Sequence, residues 1–190
     1  MGDALIDAAV RCVARWGVAK TSLDDVAREA HCSRATVYRA FPGGKDALFA
    51  AVVRAELDRF LGRVTARITT ATDLEGALVA GIAEAGRTLK GHAALQHLLV
   101  HEPEIVLPHV AFRQFDELLA AVRRHFAPSL APFLDGDEDE AARLAEWAAR
   151  ITLSYTLSPS VTVDTADEAC VRRVVRTYVL PGIAVRQPVS

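Results

Sequence analysis

Residues 32–42 have the sequence CSRATVYRAFP, and they predict a short helix over 34–41. Ser33 is a good N-cap, because its side-chain oxygen can accept a hydrogen bond from the first turn of the helix. The proline and two glycines at 42–44 end the helix. A helix of only about two turns is not stable by itself in water, so we expect neighbouring helices to hold it in place.

The predicted helix over 34–41 has one apolar side and one polar side. At about 100° per residue, Val37 and Phe41 fall together and point inward. The exposed positions are then Arg34, Ala35, Thr36, Tyr38 and Arg39. Arginine can donate two bonds to guanine, a methyl group can pack on thymine, and a tyrosine hydroxyl can bond a phosphate. The polar side therefore suits the major groove of DNA, and the alternative is an ordinary solvated helix face.

The preceding residues predict a second helix and a tight turn. In the segment TSLDD, Ser22 can cap a helix, and Asp25, three residues later, completes an approximate capping box. The second helix is predicted over 23–30, and residues 31–32 form the turn. Two short helices joined in this way predict a helix-turn-helix.

Helical periodicity continues along the rest of the chain. An apolar stripe predicts a first helix that ends at Gly17, and a long helix is predicted over 45–69. Further helices are predicted over 74–90, 92–102, 108–126, 137–159 and 168–180, with a loop over 127–136. There is no alternating strand pattern of useful length and no internal repeat. The sequence therefore predicts an all-α protein of about nine helices.

Composition and charge narrow the function classes. The 190 residues carry a net charge of −2, with a slightly basic first 50 residues, so any nucleic-acid surface must be local. The three cysteines are far apart and form no CxxC pair, so the sequence indicates neither a disulfide framework nor a zinc knuckle. The N-terminus lacks the pattern of a signal peptide, and no run is long enough for a membrane span. We expect a cytoplasmic protein with no membrane partner.

The run from Ile6 to Phe49 resembles the DNA-binding domain of TetR-type bacterial transcriptional regulators. The matching segments are AAVRCVARWGVAKTSLDDVAREA and SRATVYRAFPGGKDALF. The resemblance implies an N-terminal three-helix helix-turn-helix DNA-binding domain, residues 1–46, and a larger α-helical effector-binding and dimerisation domain, residues 47–190. It also implies a palindromic double-stranded DNA operator, a homodimer and a small-molecule effector.

The resemblance also implies DNA-binding roles for matched positions. These are Ser22, Ser33, Arg34, Ala35, Thr36, Tyr38 and Lys45, to which the helical wheel adds Arg39. The two serines, as caps, would offer hydroxyl and N–H groups to phosphates. Gly43-Gly44 is one residue longer than the same segment in many relatives, which shifts Lys45. His31 stands where relatives usually carry glycine, and we expect it in a left-handed turn conformation.

The last two predicted helices are the candidate dimer interface, because the family builds a four-helix bundle from them. The candidate residues, at helical spacing, are Trp147, Ile151, Val171, Val174 and Tyr178. The alternative for each is the core of a single chain.

The middle helices are rich in leucine, valine and phenylalanine, and the resemblance implies that they enclose a cavity. The candidate ligand-binding residues are Gln96, Leu99, His109, Phe112, Arg113 and Tyr155. Apolar walls of this kind predict a lipophilic effector, whereas the alternative is ordinary core.

Two competing functions are weaker. A zinc hydrolase is the alternative indicated by His97 and His101, which are one turn apart, together with His109. The order HLLVHE is not HExxH, however, and no catalytic residues are predicted. The acidic run 137–140 lacks the ligand spacing of a calcium loop and opens a helix instead. We predict no metal and no cofactor. The closer alternative to a ligand-controlled repressor is a DNA-binding protein controlled by protein partners.

Overall fold

The computed structural model describes residues 2–111 and 115–184, and every regular element in them is helical. The helices are α1 (Gly2–Lys20), α2 (Leu23–Glu29), α3 (Arg34–Ala40), α4 (Gly44–Thr69), α5 (Leu74–Gly91), α6 (Ala93–His101), α7 (Pro103–Ala111), α8 (Phe115–Leu130), α9 (Glu138–Leu157), α10 (Glu168–Val174) and α11 (Leu180–Ala184). A 3₁₀ turn (Ala131–Phe133) follows α8, and a π-helical turn (Val175–Val179) joins α10 to α11. The predicted all-α fold class is confirmed.

The chain forms two compact units. The first comprises Met1–Phe60 and Gly91–Pro108, and the second comprises Leu61–Lys90 and His109–Ser190. These units do not follow the predicted boundary after residue 46, because the start of α4 and all of α6 belong with the first helices. The division into a DNA-binding and an effector domain stays a prediction about function.

A core within residues 5–55 holds the first unit together. Its members include Leu5, Ile6, Cys12, Leu23, Val26, Val37, Leu48 and Val52. Ion pairs reinforce the contact of α1 with α2, since Arg11 and Arg15 both donate to Glu29, at 2.6 and 2.9 Å. These contacts supply the support that the short α3 lacks by itself.

Gly17 breaks α1, as its sequence position predicts. Its φ of 79° and ψ of 174° lie in a region that only glycine adopts readily. The Glu102 carboxylate, at the end of α6, fills the break and accepts bonds from the N–H groups of Val18 at 2.7 Å and Ala19 at 3.2 Å. Thr21 is buried beside the break and donates its hydroxyl to the Gly17 carbonyl at 2.6 Å. The break thus fixes the corner between α1 and α2.

The second unit is built mainly on the packing of α8 against α9. The buried side chains of these two helices include Leu119, Phe126, Leu130, Ala141, Leu144 and Ala145. The segment before α10 lies against α5, where the missing side chain of Gly86 leaves room for the main chain of Thr165. Lys90 and Asp164, 3.0 Å apart, fasten the same segment.

Several helix bounds differ from the prediction. The predicted start at Pro108 is wrong, because Pro108 lies inside α7, and the rest of that predicted helix, from Phe115 on, lies in α8; residues 112–114 lie outside the described residues. The predicted loop over 127–136 is wrong in its first part, because α8 continues past Pro128 to Leu130. The last helix was predicted to end at Leu180 and instead continues to Ala184. Within the described residues, no helix is both long and apolar enough to cross a membrane.

Glu75 in α5 gives the second unit a dependence on pH. Its carboxylate accepts bonds from Arg176, at 2.8 Å, and from Arg172, and these bonds lower its pKa below the ordinary value. The stabilisation is therefore complete above the pKa of the unfolded chain and is lost as the pH falls through the lowered folded value. We expect Glu75→Gln to lose less stability than the wild type between neutral pH and about pH 3 in urea unfolding. Exposed Glu138→Gln is the control, and parallel curves for Glu75→Gln and the wild type would contradict the expectation.

Candidate nucleic-acid interface

The α3 helix presents its polar residues outward because one valine anchors it. Val37 is 0% exposed in the core of the first unit, whereas Tyr38, about 100° away around the helix, is 41% exposed. Arg34, Ala35 and Arg39 are also exposed, and Thr36 is half-buried. The predicted inner and outer faces of α3 are therefore the observed ones.

The two predicted cap residues sit at the helix starts and bond within their own turns. Ser33 Oγ accepts the N–H of Thr36 at 3.2 Å and lies 2.9 Å from Thr36 Oγ1. Ser22 and Asp25 form the complete capping box, in which the Ser22 N–H donates to Asp25 at 3.0 Å. The Ser22 hydroxyl also donates to Asp25, and these two bonds lower the pKa of that carboxyl. A phosphate at Ser22 would therefore compete with Asp25, while the hydroxyl of Ser33 is exposed at the start of α3.

Arg34 is held at two places on the exposed face. Its Nη1 donates to Asp24 Oδ2 at 3.1 Å, and its Nη2 donates to the Tyr38 hydroxyl at 3.2 Å. The guanidinium also lies over the Tyr38 ring, 5.3 Å from the centroid. The bond to Tyr38 and then the charge of Asp24 raise the pKa of Arg34 above its ordinary value. The side chain stays charged and is directed along α3.

Lys45 lies in the first turn of α4, next to the corner between α1 and α2. Its Nζ donates to the Ala19 carbonyl at 3.2 Å and lies 5.7 Å from the centre of the Phe49 ring. Gly44, in front of it, has a φ of 71°, so the extra glycine forms a left-handed turn at the start of α4. The lysine is half-buried, and a phosphate contact would require it to turn away from Ala19.

The turn between α2 and α3 has the predicted conformation. His31 has a φ of 53°, which confirms the left-handed turn expected where relatives usually carry glycine. The N–H of Cys32 donates to the Ala27 carbonyl at 2.9 Å and closes the turn. The angle between α2 and α3 is thereby set by main-chain geometry.

The predicted dimer residues differ in exposure within the second unit. Tyr178 is 76% exposed, and Trp147, Ile151 and Val174 are half-buried. Val171 is only 2% exposed, so its side chain serves the core of its own chain. The four more exposed residues are available to a partner.

The predicted ligand-binding residues are divided between the two units. Gln96 and Leu99 lie on α6 in the first unit, where both are half-buried. His109 on α7 and Tyr155 on α9 belong to the second unit. Phe112 and Arg113 lie outside the described residues. Their common role stays a prediction.

The residues behind the hydrolase alternative do not form a metal site in the described part of the chain. The rings of His97 and His101 are 4.5 Å apart between centroids. Across 2–111 and 115–184, no group of three or more histidine, cysteine, aspartate or glutamate side chains is arranged to hold a metal ion.

Two acidic residues with a defined role in the first unit were not predicted from the sequence. The sequence pattern assigns Asp24 only to the start of a helix, although its side chain accepts a hydrogen bond from Arg34, ten residues away. Glu102 was considered only as a neighbour of the histidines, although it bonds the main chain 84 residues away. The acidic first turn of α2 was a usable signal for Asp24, whereas nothing local indicates the partner of Glu102.

Comparison with known proteins finds a family model that matches this helix-turn-helix. The family model described as "Bacterial regulatory proteins, tetR family" matches residues 5–52, which contain α2, α3 and the start of α4. An uncharacterized HTH-type transcriptional regulator of Mycobacterium tuberculosis is 28% identical over 179 residues, which are 94% of this chain and 83% of the relative. The family and this relative are transcriptional regulators and not enzymes.

Solved structures share the fold along almost the whole chain. One is the TetR family repressor AlkX from Dietzia sp. strain DQ12-45-1b, which is implicated in biodegradation of n-alkanes. Its TM-score is 0.66 at 20% identity, and the match covers 96% of this chain and 94% of the AlkX chain. Another is the fatty acid degradation regulator FadR from Bacillus halodurans. Its TM-score is 0.63 at 19% identity, and the match covers 94% of this chain and 96% of the FadR chain. At these identities, the likeness establishes the fold.

Proposed function

Since the chain is a TetR-type transcriptional regulator, we propose that it acts as a repressor, in which a homodimer binds a palindromic operator and is released by a small lipophilic effector. The observation that carries the proposal is the exposed face of α3, where Arg34, Tyr38 and Arg39 surround a single buried anchor, Val37. The protein acts in the cytoplasm, where its operator is accessible.

The chemistry of α3 supports contact with a major groove. Arginine side chains match the acceptors of guanine, and the tyrosine hydroxyl reaches phosphates. One helix of seven residues covers too few base pairs to select a site by itself. Two copies related by a two-fold axis would contact half-sites about 34–36 Å apart, which explains the expected palindrome.

The exposed aromatic residue of the second unit supports a dimer. Tyr178 is largely exposed, and Trp147, Ile151 and Val174 are only partly covered by their own chain. Aromatic residues are enriched in the buried centres of protein interfaces. We therefore assign these four residues to the dimer contact and leave Val171 to the core.

The composition of α6 and α7 supports a lipophilic effector. Leu95, Leu98 and Leu99 on α6 and Val106 and Leu107 on α7 are all half-buried, so apolar surface remains uncovered in the first unit. AlkX is implicated in biodegradation of n-alkanes, and FadR is a regulator of fatty acid degradation. Both compound classes contain an unbranched hydrocarbon chain, and we propose an effector of that type.

Selection of binding sites from random-sequence DNA, followed by fluorescence anisotropy, tests the DNA part of the proposal. We expect a palindrome whose binding weakens steeply with salt, because phosphate contacts release counterions. Tyr38→Ala should lower the operator affinity about thirtyfold, since each of the two half-sites loses a hydrogen bond of about 1 kcal/mol.

The controls separate binding from folding and assembly. Tyr38→Phe keeps the ring beside Arg34 and loses only the hydroxyl, so its operator affinity should fall by about the same factor as that of Tyr38→Ala. Sedimentation should show the same dimer for all three proteins. Unchanged operator affinity in Tyr38→Ala would remove Tyr38 from the interface.

The effector part is tested by adding hexadecane or hexadecanoate to the operator complex. Either compound should release the DNA. Acetate should not, because it has the carboxylate of hexadecanoate without the long chain. If neither long-chain compound shifts binding while the operator is still recognised, control by protein partners becomes the better explanation.

A further inference from the structure

Asp24 is an acidic residue on the surface that we propose faces DNA. It lies in the first turn of α2, and its side chain is 48% exposed. A carboxylate there repels phosphates, so by charge alone it weakens binding to any DNA. Its position is nevertheless well defined, because it accepts a bond from Arg34 Nη1 at 3.1 Å and its Oδ1 lies 3.0 Å from Arg34 Nε.

Stability does not explain this pair. Exposed ion pairs contribute little to folding, because water screens them and the side chains lose rotational freedom. The start of α2 is already fixed by the Ser22–Asp25 capping box, which does not involve Asp24. The main effect of Asp24 in the structure is to restrict where the guanidinium of Arg34 lies.

Asp24 and Tyr38 together hold Arg34 from two sides. Asp24 bonds one terminal nitrogen, and the Tyr38 hydroxyl bonds the other at 3.2 Å while the ring lies beneath the guanidinium. With the Nε contact to Asp24, three of the five N–H groups are engaged, so one N–H on each terminal nitrogen remains for two acceptors on one base. Guanine offers two acceptors, O6 and N7, in the major groove. An arginine that is already oriented loses less conformational entropy on binding and tolerates fewer alternative partners.

We propose that Asp24 is a specificity-determining residue, which positions Arg34 on a guanine of each half-site and disfavours binding to other sequences. The inference rests on the proposed function and adds the base that is recognised and the residue that enforces the choice. The charge of the carboxylate lowers the affinity for all DNA. The gain from an oriented Arg34 offsets this loss only where Arg34 contacts its guanine. Asp24 therefore increases the ratio of operator to non-specific affinity.

The test compares Asp24→Asn with Asp58→Asn, which removes the same charge from an exposed position of α4 in the first unit. Each protein is titrated with operator and with scrambled DNA of equal length at one salt concentration. We expect Asp24→Asn to bind scrambled DNA a few times more tightly and to lose about five- to tenfold in the affinity ratio. Asp58→Asn should leave the ratio unchanged. Melting curves should match the wild type, because the capping box is retained.

A base substitution isolates the Arg34 contact. Each operator guanine is replaced in turn by 7-deazaguanine, which lacks the N7 acceptor. One position per half-site should weaken wild-type binding about tenfold, should have almost no effect on Arg34→Ala, and should have a reduced effect on Asp24→Asn.

Three results would overturn the inference. An unchanged affinity ratio in Asp24→Asn would make Asp24 an ordinary surface charge. A tighter operator complex with a higher ratio would mean that Asp24 holds Arg34 away from DNA. The absence of a sensitive guanine would contradict the assigned base. If the wild type prefers no sequence at all, the proposed function itself fails, which distinguishes the two failures.

Discussion

Gly17→Ala should destabilise the first unit by about 3 kcal/mol, through backbone strain and a steric clash together. The φ of 79° and ψ of 174° at Gly17 are accessible only to glycine at low cost. A Cβ there would also lie 2.4 Å from Glu102 Oε1, so the carboxylate would have to move. Its displacement would leave the N–H groups of Val18 and Ala19 without the bonds that it now accepts.

Hydrogen exchange and thermal unfolding measure this effect. We expect the amides of Val18 and Ala19 to exchange much faster in Gly17→Ala, together with a lower melting temperature. Operator affinity should also fall, because the break at Gly17 fixes the corner between α1 and α2, from which α2 leads to the turn before α3.

Gly44→Ala is the matched control. Gly44 also has a positive φ, 71°, but a Cβ would meet no atom within 4 Å, so only backbone strain remains. This variant should lose about 1 kcal/mol and keep the slow exchange of Val18 and Ala19. Equal losses in the two variants would show that the Glu102 contact contributes nothing.

Gly86→Ala should lower the stability of the second unit by a similar amount, about 3 kcal/mol. A Cβ on this residue of α5 would lie 2.4 Å from the carbonyl oxygen and 2.6 Å from the carbonyl carbon of Thr165. These are main-chain atoms, so no side-chain rotation can relieve the clash. The segment that carries Thr165 is fastened by Lys90 and by a bond from Arg87 to the Ala166 carbonyl at 3.4 Å.

Thermal unfolding measures the effect, and a fall of about 10 °C is expected for a chain of this size. Gly62→Ala is the control, because Gly62 lies in α4, belongs to the same unit, and has nothing within 4 Å of the added methyl group. That variant should be slightly more stable than the wild type, because alanine favours a helix. A Gly86→Ala protein as stable as Gly62→Ala would mean that the segment moves away from α5 at little cost.

Local sequence rules account for the helix-turn-helix. The caps at Ser22 and Ser33, the turn at His31 and the break at Gly17 all appear where the sequence predicts them. Each depends on hydrogen bonds or backbone angles within about four residues, which is the range over which sequence patterns carry information. The inward Val37 and outward Tyr38 likewise follow from helical periodicity.

The same local rules failed where burial outweighed them. Pro128 predicts the end of a helix, but α8 continues to Leu130 because Phe126, Ala127 and Leu130 are all buried. Their burial offsets the cost of one proline, which is about 3 kcal/mol in a helix interior. The sequence shows the proline and the apolar residues alike, but not which of them prevails.

The sequence by itself determined an all-helical protein whose first quarter carries a helix-turn-helix with an exposed arginine-rich face, because caps and periodicity are local properties. Only the tertiary structure decided that Asp24 holds Arg34, that Glu102 fills the break at Gly17, and that Gly86 admits the main chain of Thr165. Such contacts join residues that are distant in the chain, and they form only when helix packing brings the partners together. No spacing rule in one sequence encodes that packing.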